Sequence, residues 1–183
     1  EVSSENRRFI PIGFLTADVI ASNKLQIIES DSTYLFGLLC STMHNAWMRI
    51  VAGRLKSDYS YSPSVYNNYP WPEFPQNSKP NQPVAPVHPA QAAIETAAQT
   101  VLDVRAKFQS GDQPDTLAAT LADLYDPLTM PPELLKAHQK LDAAVDKAYE
   151  ASGGKKSYKS DAERVAFLFE LYQKYTSLLP SAP

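Results

Sequence analysis

The sequence predicts an α+β fold that is mostly α, with a partial mixed α/β domain followed by a small helical bundle. Short apolar runs near the start are typical of strands. A long stretch after them has its apolar residues at helical spacing. Beyond a proline-rich segment every apolar pattern is helical, which favours a bundle.

Two runs near the start predict strands. Residues 8–15 are apolar but interrupted by Pro11 and Gly13, which suits a buried strand or a pair of short edge strands. Residues 25–28 follow a turn at Ser22 and predict a second strand.

A half-buried helix is predicted from Asp31 or Ser32, either of which can cap it, to about Leu55. Gly53 stands where this helix should end. Its apolar stripe consists of Leu35, Leu38, Leu39, Met43, Trp47, Ile50 and Val51.

The clearest boundary lies at residues 70–89, which contain seven prolines and are therefore predicted to form a stiff, extended connector. We therefore divide the chain into a first domain, a linker and a helical domain, at residues 1–75, 76–89 and 90–183. Helices are predicted at 90–109, 116–125, 132–149 with Pro132 in the first turn, and after Ser160, which forms a capping box with Glu163.

Composition limits the functions that are open to the chain. A net charge of −3 gives no whole-molecule attraction to nucleic acid or to an anionic membrane, so any DNA contact needs a local basic patch. The single cysteine, Cys40, excludes an internal disulfide and fits a reducing cytosol, so we expect a cytoplasmic protein. No apolar run is long enough to cross a bilayer.

No catalytic signature is visible: the sequence has no phosphate-binding glycine loop, no HExxH and no GxSxG. Cys40 and His44, one helical turn apart, could be a nucleophile and its base or two metal ligands, but packing of a small thiol is favoured. Asp142 and Asp146 could hold a cation, but a solvated helix face is favoured. We therefore predict no catalytic residue and no metal site.

The most informative stretch is the end of the long helix, where Arg49, Arg54 and Lys56 are concentrated. Asp58, hydroxyl groups and two asparagines follow, and these side-chain types read base edges in DNA. In an extended segment Lys56 and Asp58 would project on the same side and could contact the G and the C of one base pair. On composition alone, a surface salt bridge between Lys56 and Asp58 is favoured over contacts with bases.

Four strings carry a resemblance to a known family: VAGRLKSD at 51–58, YNNYPWP at 66–72, LADLYDPLTMPPEL at 121–134 and ERVAFLFELY at 163–172. They resemble, in the same order, the MmeI-like family of single-chain type IIL restriction–modification enzymes and related adenine DNA methyltransferases. The likeness extends over nearly the whole chain.

The resemblance implies a bacterial DNA sequence-recognition fragment. Family members carry a nuclease, a helical connector, a methyltransferase domain that uses S-adenosylmethionine, a target-recognition domain and a helical tail. This chain would hold only the end of the recognition domain and the tail, because the Asn-Pro-Pro-aromatic signature is absent. The expected partners are double-stranded DNA and the upstream methyltransferase domain, with no membrane. No cofactor is expected in the fragment, which should neither methylate nor cut DNA.

The resemblance also implies site residues. Base choice in the family is set by paired positions, which by alignment look like Lys56 with Asp58 and Lys24 with Ser60. Arg49 and Arg54 would be phosphate contacts or structural ion pairs. The alternative is a protein-interaction or scaffold module without a DNA role, favoured somewhat by fourteen acidic against eleven basic residues in 61–183.

Overall fold

The computed structural model describes residues 2–74, 87–111 and 118–177. Within these ranges the chain forms a small three-stranded sheet and is otherwise mostly α-helical, as predicted. The elements are β1 Val2–Ser3, α1 Thr33–Cys40, α2 Thr42–Val51, β2 Gly53–Leu55, β3 Asp58–Ser60, α3 Pro63–Asn67, α4 Pro89–Gln109, α5 Leu121–Leu124, α6 Pro132–Ala148, a 3₁₀ helix Tyr149–Ser152, and α7 Asp161–Thr176.

The predicted long helix is two helices with a break at Ser41. Ser32 caps α1, and its hydroxyl accepts from the Leu35 amide at 3.2 Å. Ser41 is extended, with φ −76° and ψ 157°, and its own hydroxyl accepts from the His44 amide at 3.2 Å to begin α2. The predicted end at Leu55 is also wrong, because α2 ends at Val51 and Leu55 lies in a strand.

The two predicted strands are wrong as well: residues 8–15 and 25–28 form no ladder. The first run lies against helices instead. Phe9 is buried with its ring stacked 4.1 Å from that of His138, and the Ile12 carbonyl accepts from Arg105 Nη1 at 2.6 Å. Apolar content indicated burial correctly here, but a side chain can be buried without strand pairing.

The segment from residue 14 to residue 28 contributes little to the core. Phe14 packs against Phe36, with 5.4 Å between ring centroids, but remains half exposed. The exposed large apolar side chains of this segment are Phe14, Leu15, Val19, Ile20, Leu25, Ile27 and Ile28.

The tail helices largely follow the prediction. The predicted helices 90–109 and 132–149 are confirmed as α4 and α6, and Pro132 stands in the first turn of α6. The helix expected at 116–125 is shorter, since Thr120 caps α5 in a capping box with Asp123. The start of that prediction lies in residues 112–117, outside the described residues.

The capping box predicted at Ser160 is only half formed. The Ser160 hydroxyl accepts from the Glu163 amide at 3.3 Å. The Glu163 carboxylate, however, accepts from the amide of Lys159 at 3.0 Å, one residue before the cap. The last helix therefore begins where it was expected, but Glu163 bonds to the amide before the cap instead of the amide of Ser160.

Helices from both sides of the predicted linker share one hydrophobic core. Helix α4 packs on α6 and α1, and α2 packs on α7. Gly37 permits the close approach of α1, because a Cβ there would lie 2.8 Å from Ile94 Cγ2 and 3.1 Å from Ala98 Cβ. Most of the linker lies in residues 75–86, outside the described residues, and the domain limits stay a prediction.

Two carboxylates of α6 reinforce this packing. Asp142 accepts from the Thr42 amide at 2.6 Å and from its hydroxyl at 2.7 Å, at the first turn of α2. Asp146 is buried and accepts from Arg164 Nε and Nη2 at 3.2 and 2.7 Å. Both earlier interpretations are therefore wrong: the pair lies at helix contacts, neither on a solvated face nor open to a cation.

Cys40 and His44 do not form a catalytic pair. His44 Nδ1 donates to the Leu39 carbonyl at 2.9 Å, and its Nε2 accepts from the Tyr61 hydroxyl at 3.0 Å. Burial raises the pKa of the Cys40 thiol to about 11, and its sulfur lies 4.0 Å from Arg105 Nη2. The prediction that Cys40 is a packing residue is confirmed.

Two buried histidines are held neutral. Burial lowers the pKa of His44 to about 4. Burial and the charge of Arg105 lower the pKa of His138 to about 3, while its Nε2 is 2.7 Å from the Tyr125 hydroxyl. Both imidazole rings are therefore neutral in the folded state near pH 7.

We expect the free energy of unfolding to fall as the pH drops below about 6.5. The unfolded histidines bind a proton at their ordinary pKa and the folded ones do not, so their stabilisation is present above pH 6.5 and is lost as the pH falls to about 4 for His44 and about 3 for His138. At pH 5 each histidine should cost about 2 kcal/mol. Urea unfolding from pH 7.5 to 5 measures this loss, and a His44→Gln variant should lose less. If the free energy of unfolding fell equally with pH in the variant and in the wild type, the assignment of part of this loss to His44 would be wrong.

We expect Asp142→Ala to lower the free energy of unfolding by about 1–3 kcal/mol, because the amide and hydroxyl of Thr42 lose their acceptor. The matched control is Asp103→Ala on the exposed face of α4, which should stay within about 0.5 kcal/mol of the wild type. Urea unfolding of the three proteins at pH 7.5 compares them. Equal losses in the two variants would show that Asp142 does not hold α2.

Candidate nucleic-acid interface

The centre of the candidate interface is the hairpin formed by β2 and β3, in which Leu55 pairs with Asp58 and Gly53 with Ser60. Lys56 and Ser57 form its two-residue turn. Lys56 has φ 57°, in the left-handed region that side chains other than glycine rarely adopt. Arg54 Nη1 supports the turn by donating to the Ser57 carbonyl at 2.6 Å. The turn thus places Lys56 at the exposed tip of the hairpin.

The side chains of β3 alternate between two faces. Tyr59 is buried, whereas Asp58 and Ser60 are only partly buried and share the opposite face. The predicted projection of Lys56 and Asp58 from one extended segment is wrong, because Lys56 lies in the turn. The two residues are nevertheless neighbours at the end of one hairpin.

Arg49 and Arg54 both lie over the ring of Tyr59. The guanidinium carbon is 3.9 Å from the ring centroid for Arg54 and 5.9 Å for Arg49. Arg54 also pairs with Glu5 at 3.3 Å, and Arg49 Nη2 donates to the Arg7 carbonyl at 3.1 Å. These contacts show structural roles for both arginines, although the Arg54 side chain remains 45% exposed.

The start of the chain is fastened to the same hairpin. Val2 pairs with Ser60 in the sheet, and the Glu5 amide donates to Asp58 Oδ1 at 3.3 Å. This pairing brings Arg7 and Arg8 to the hairpin region, although more than forty residues of sequence separate them from Arg49. Neither arginine was predicted from the sequence, in which the only signal was two adjacent cations before an apolar run.

Lys24 lies in an exposed turn, where its amide is 3.3 Å from the Ser22 hydroxyl. The strand expected after it does not form, so no strand pairing in the described part of the chain brings Lys24 to Ser60. The pairing of these two residues therefore remains a prediction that follows from the resemblance alone.

The segment after the hairpin is held by α2 and the tail. Trp47 Nε1 donates to the Val65 carbonyl at 3.1 Å, and the Tyr149 hydroxyl donates to the Pro70 carbonyl at 3.0 Å. Tyr69 and Trp71 pack edge to face, with 4.9 Å between their ring centroids. Both ends of the hairpin are thus anchored to helices, while its tip is free of core contacts.

The exposed polar groups of the hairpin are an ammonium, a guanidinium, a carboxylate and hydroxyls, and groups of these kinds hydrogen-bond to base edges and phosphates. In the described ranges no group of three or more His, Cys, Asp or Glu side chains is placed to hold a metal ion. No helix of the same ranges has the length and apolar character needed to span a bilayer.

Each half of the chain matches a known protein-family model. Residues 1–73 match the family model "MmeI, target recognition domain", and residues 87–180 match "MmeI, C-terminal domain". DNA methyltransferase A of Bacillus subtilis (strain 168) is 44% identical over 176 residues, which are 96% of this chain and 17% of that protein.

A solved structure agrees with these matches. The type IIL restriction–modification enzyme MmeI in complex with DNA is 50% identical, with a TM-score of 0.78 over 97% of this chain and 21% of the solved chain. The chain thus spans about a fifth of the length of these relatives. With both family models matched in order, the chain belongs to the MmeI family, as its target-recognition and C-terminal domains.

Proposed function

We propose that this chain carries the DNA sequence-recognition part of a larger, site-specific adenine DNA methyltransferase or restriction–modification enzyme. The observation that carries the proposal is the hairpin: Lys56 at an exposed tip, with Asp58 and Ser60 on one face behind it. This hairpin lies within the residues that match a target-recognition model. The 50%-identical relative was solved bound to DNA.

The chemistry of the tip suits one G·C base pair. The Lys56 ammonium would donate to guanine O6 and N7, and the Asp58 carboxylate would accept from cytosine N4. Lys24 would donate to a purine beside Ser60. Arg49 and Arg54 would contact phosphates through those guanidinium N–H groups that are not already bonded within the protein. A good base contact should give about 1–3 kcal/mol of discrimination.

We propose that S-adenosylmethionine, the methyl donor expected for the parent enzyme, binds outside this chain, whose sequence lacks the Asn-Pro-Pro-aromatic signature. Cofactor binding and methyl transfer would then belong to the methyltransferase domain of the parent, which would be the second partner of this chain besides double-stranded DNA.

A second candidate is a protein-interaction module. The exposed apolar side chains of residues 14–28 favour it, since such surface is typical of a docking face. Salt dependence separates the two candidates. DNA binding weakens steeply as salt rises, whereas a docking module gives no such DNA signal.

We expect the double variant Lys56→Glu, Asp58→Arg to change one recognised G·C pair to C·G, because the donor and the acceptor exchange places. The measurement is single-molecule sequencing of methyladenine in DNA from cells that express the full-length parent, wild type beside variant. A wild-type motif that the swap leaves unchanged would show that this pair does not read bases. A wild-type parent that marks no motif would favour the interaction module.

The control variant Lys56→Gly separates the reading role of Lys56 from its place in the turn. Glycine adopts φ 57° without steric cost, so the stability of the hairpin should be kept or slightly raised. Discrimination at the one base pair should relax while the rest of the motif persists. A large fall in the melting temperature would instead mark Lys56 as a structural residue.

A further inference from the structure

Five cations lie on the hairpin or on the segments bonded to it: Arg7, Arg8, Arg49, Arg54 and Lys56. Within the described residues only Arg54 of these five forms an ion pair, with Glu5. The described carboxylates of the same segments, Glu5 and Asp58, number two against these five cations. The region is therefore locally basic, although the whole chain has a net charge of −3.

Arg8 and Arg49 line one cleft between the start of the chain and α2. The two carboxylates that line it also face other cations: Glu5 is 3.3 Å from Arg54, and Asp161 is 3.8 Å from Arg164. The Arg8 side chain is exposed, and its guanidinium lies 5.4 Å from the ring centroid of Phe9. Together with Arg54, the partner of Glu5, three guanidinium groups stand against two carboxylates in the described part of this cleft, because Arg164 is already paired with Asp146 at 2.7 Å.

The position of the two N-terminal arginines is fixed by the hairpin itself. The pairing of β1 with β3 and the bond from Glu5 to Asp58 hold residues 2–5 against the strand that carries Asp58 and Ser60. The bond from Arg49 to the Arg7 carbonyl fixes the chain two residues later. The backbone that carries Arg7 and Arg8 is therefore held in place relative to the candidate base-reading side chains.

We propose that Arg7 and Arg8, beside Arg49, bind phosphates of the DNA backbone that flank the base pair read by the hairpin. The inference rests on the proposed function and deepens it. A guanidinium group matches the geometry of a phosphate and can bind it through two parallel hydrogen bonds. Such contacts fix the register of the protein on the duplex and carry no sequence information, whereas Lys56 and Asp58 supply the sequence preference.

The test is a salt titration of duplex binding by the full-length parent, with Arg7→Gln, Arg8→Gln beside the wild type. Each lost phosphate contact should lower the log–log salt slope by about 0.9, so the double variant should lose up to about 2. Affinity for cognate and scrambled duplexes should fall by the same factor, about tenfold. The base preference should be unchanged.

The matched control is Lys147→Gln, Lys174→Gln, which also removes two charges. Both lysines are exposed in the last turns of α6 and α7, and Lys174 is about 20 Å along α7 from Asp161 at the cleft. This control should keep the wild-type slope. A second pair, Arg7→Lys, Arg8→Lys, keeps the charge and should keep most of the slope, which excludes misfolding as the cause of a loss.

Duplexes with single neutral methylphosphonates identify the phosphates. Neutralising a contacted phosphate should weaken the wild type and leave the glutamine double variant without further loss. A wild-type slope in that variant, or an equal fall in the lysine control, would overturn this inference while base recognition stands. A wild-type parent that shows no preference for any duplex would overturn the proposed function as well.

Discussion

The close approach of α1 to α4 and α6 is the constraint on which the rest of the structure depends. Gly37 leaves no room for a methyl group beside Ile94 and Leu141, so α1 lies directly against the tail helices. Helix α2 follows after one residue, and Asp142 holds its first turn. The hairpin follows after Ala52. The orientation of its tip is therefore set by helices that lie up to a hundred residues further along the chain.

Buried polar contacts join the same two parts of the chain. The Arg105 guanidinium donates to the Ile12 carbonyl and to the Tyr125 hydroxyl, and that hydroxyl contacts His138. Phe9 stacks on the same imidazole. Because these groups bond to one another inside the core, removal of one would leave a buried partner without that hydrogen bond. The tail is thus part of the structural support of the recognition segment.

Local signals were enough to predict most helices. Ser32, Pro132 and Ser160 begin theirs as expected, because caps and first-turn prolines act within a few residues. The break at Ser41 was not predictable, since the apolar spacing continues across it. The hairpin was missed because a lysine in the left-handed region replaces the usual Asn-Gly signal. Lys56 and Asp58 were indicated by residue type as well as by the resemblance, and the pairing of Lys24 with Ser60 came from the resemblance alone. Arg7 and Arg8 join the site only through tertiary pairing.

The alternation along β3 has an evolutionary consequence. Tyr59 holds the strand in place through its buried ring, while its neighbours Asp58 and Ser60 and the tip residue Lys56 contribute nothing to the hydrophobic core. Substitutions at Lys56 and Ser60 therefore leave the core packing unchanged, whereas a substitution at Asp58 also removes the acceptor of the Glu5 amide. In a lineage with this architecture, the exposed face of the hairpin can change its chemistry without compensating changes in the core.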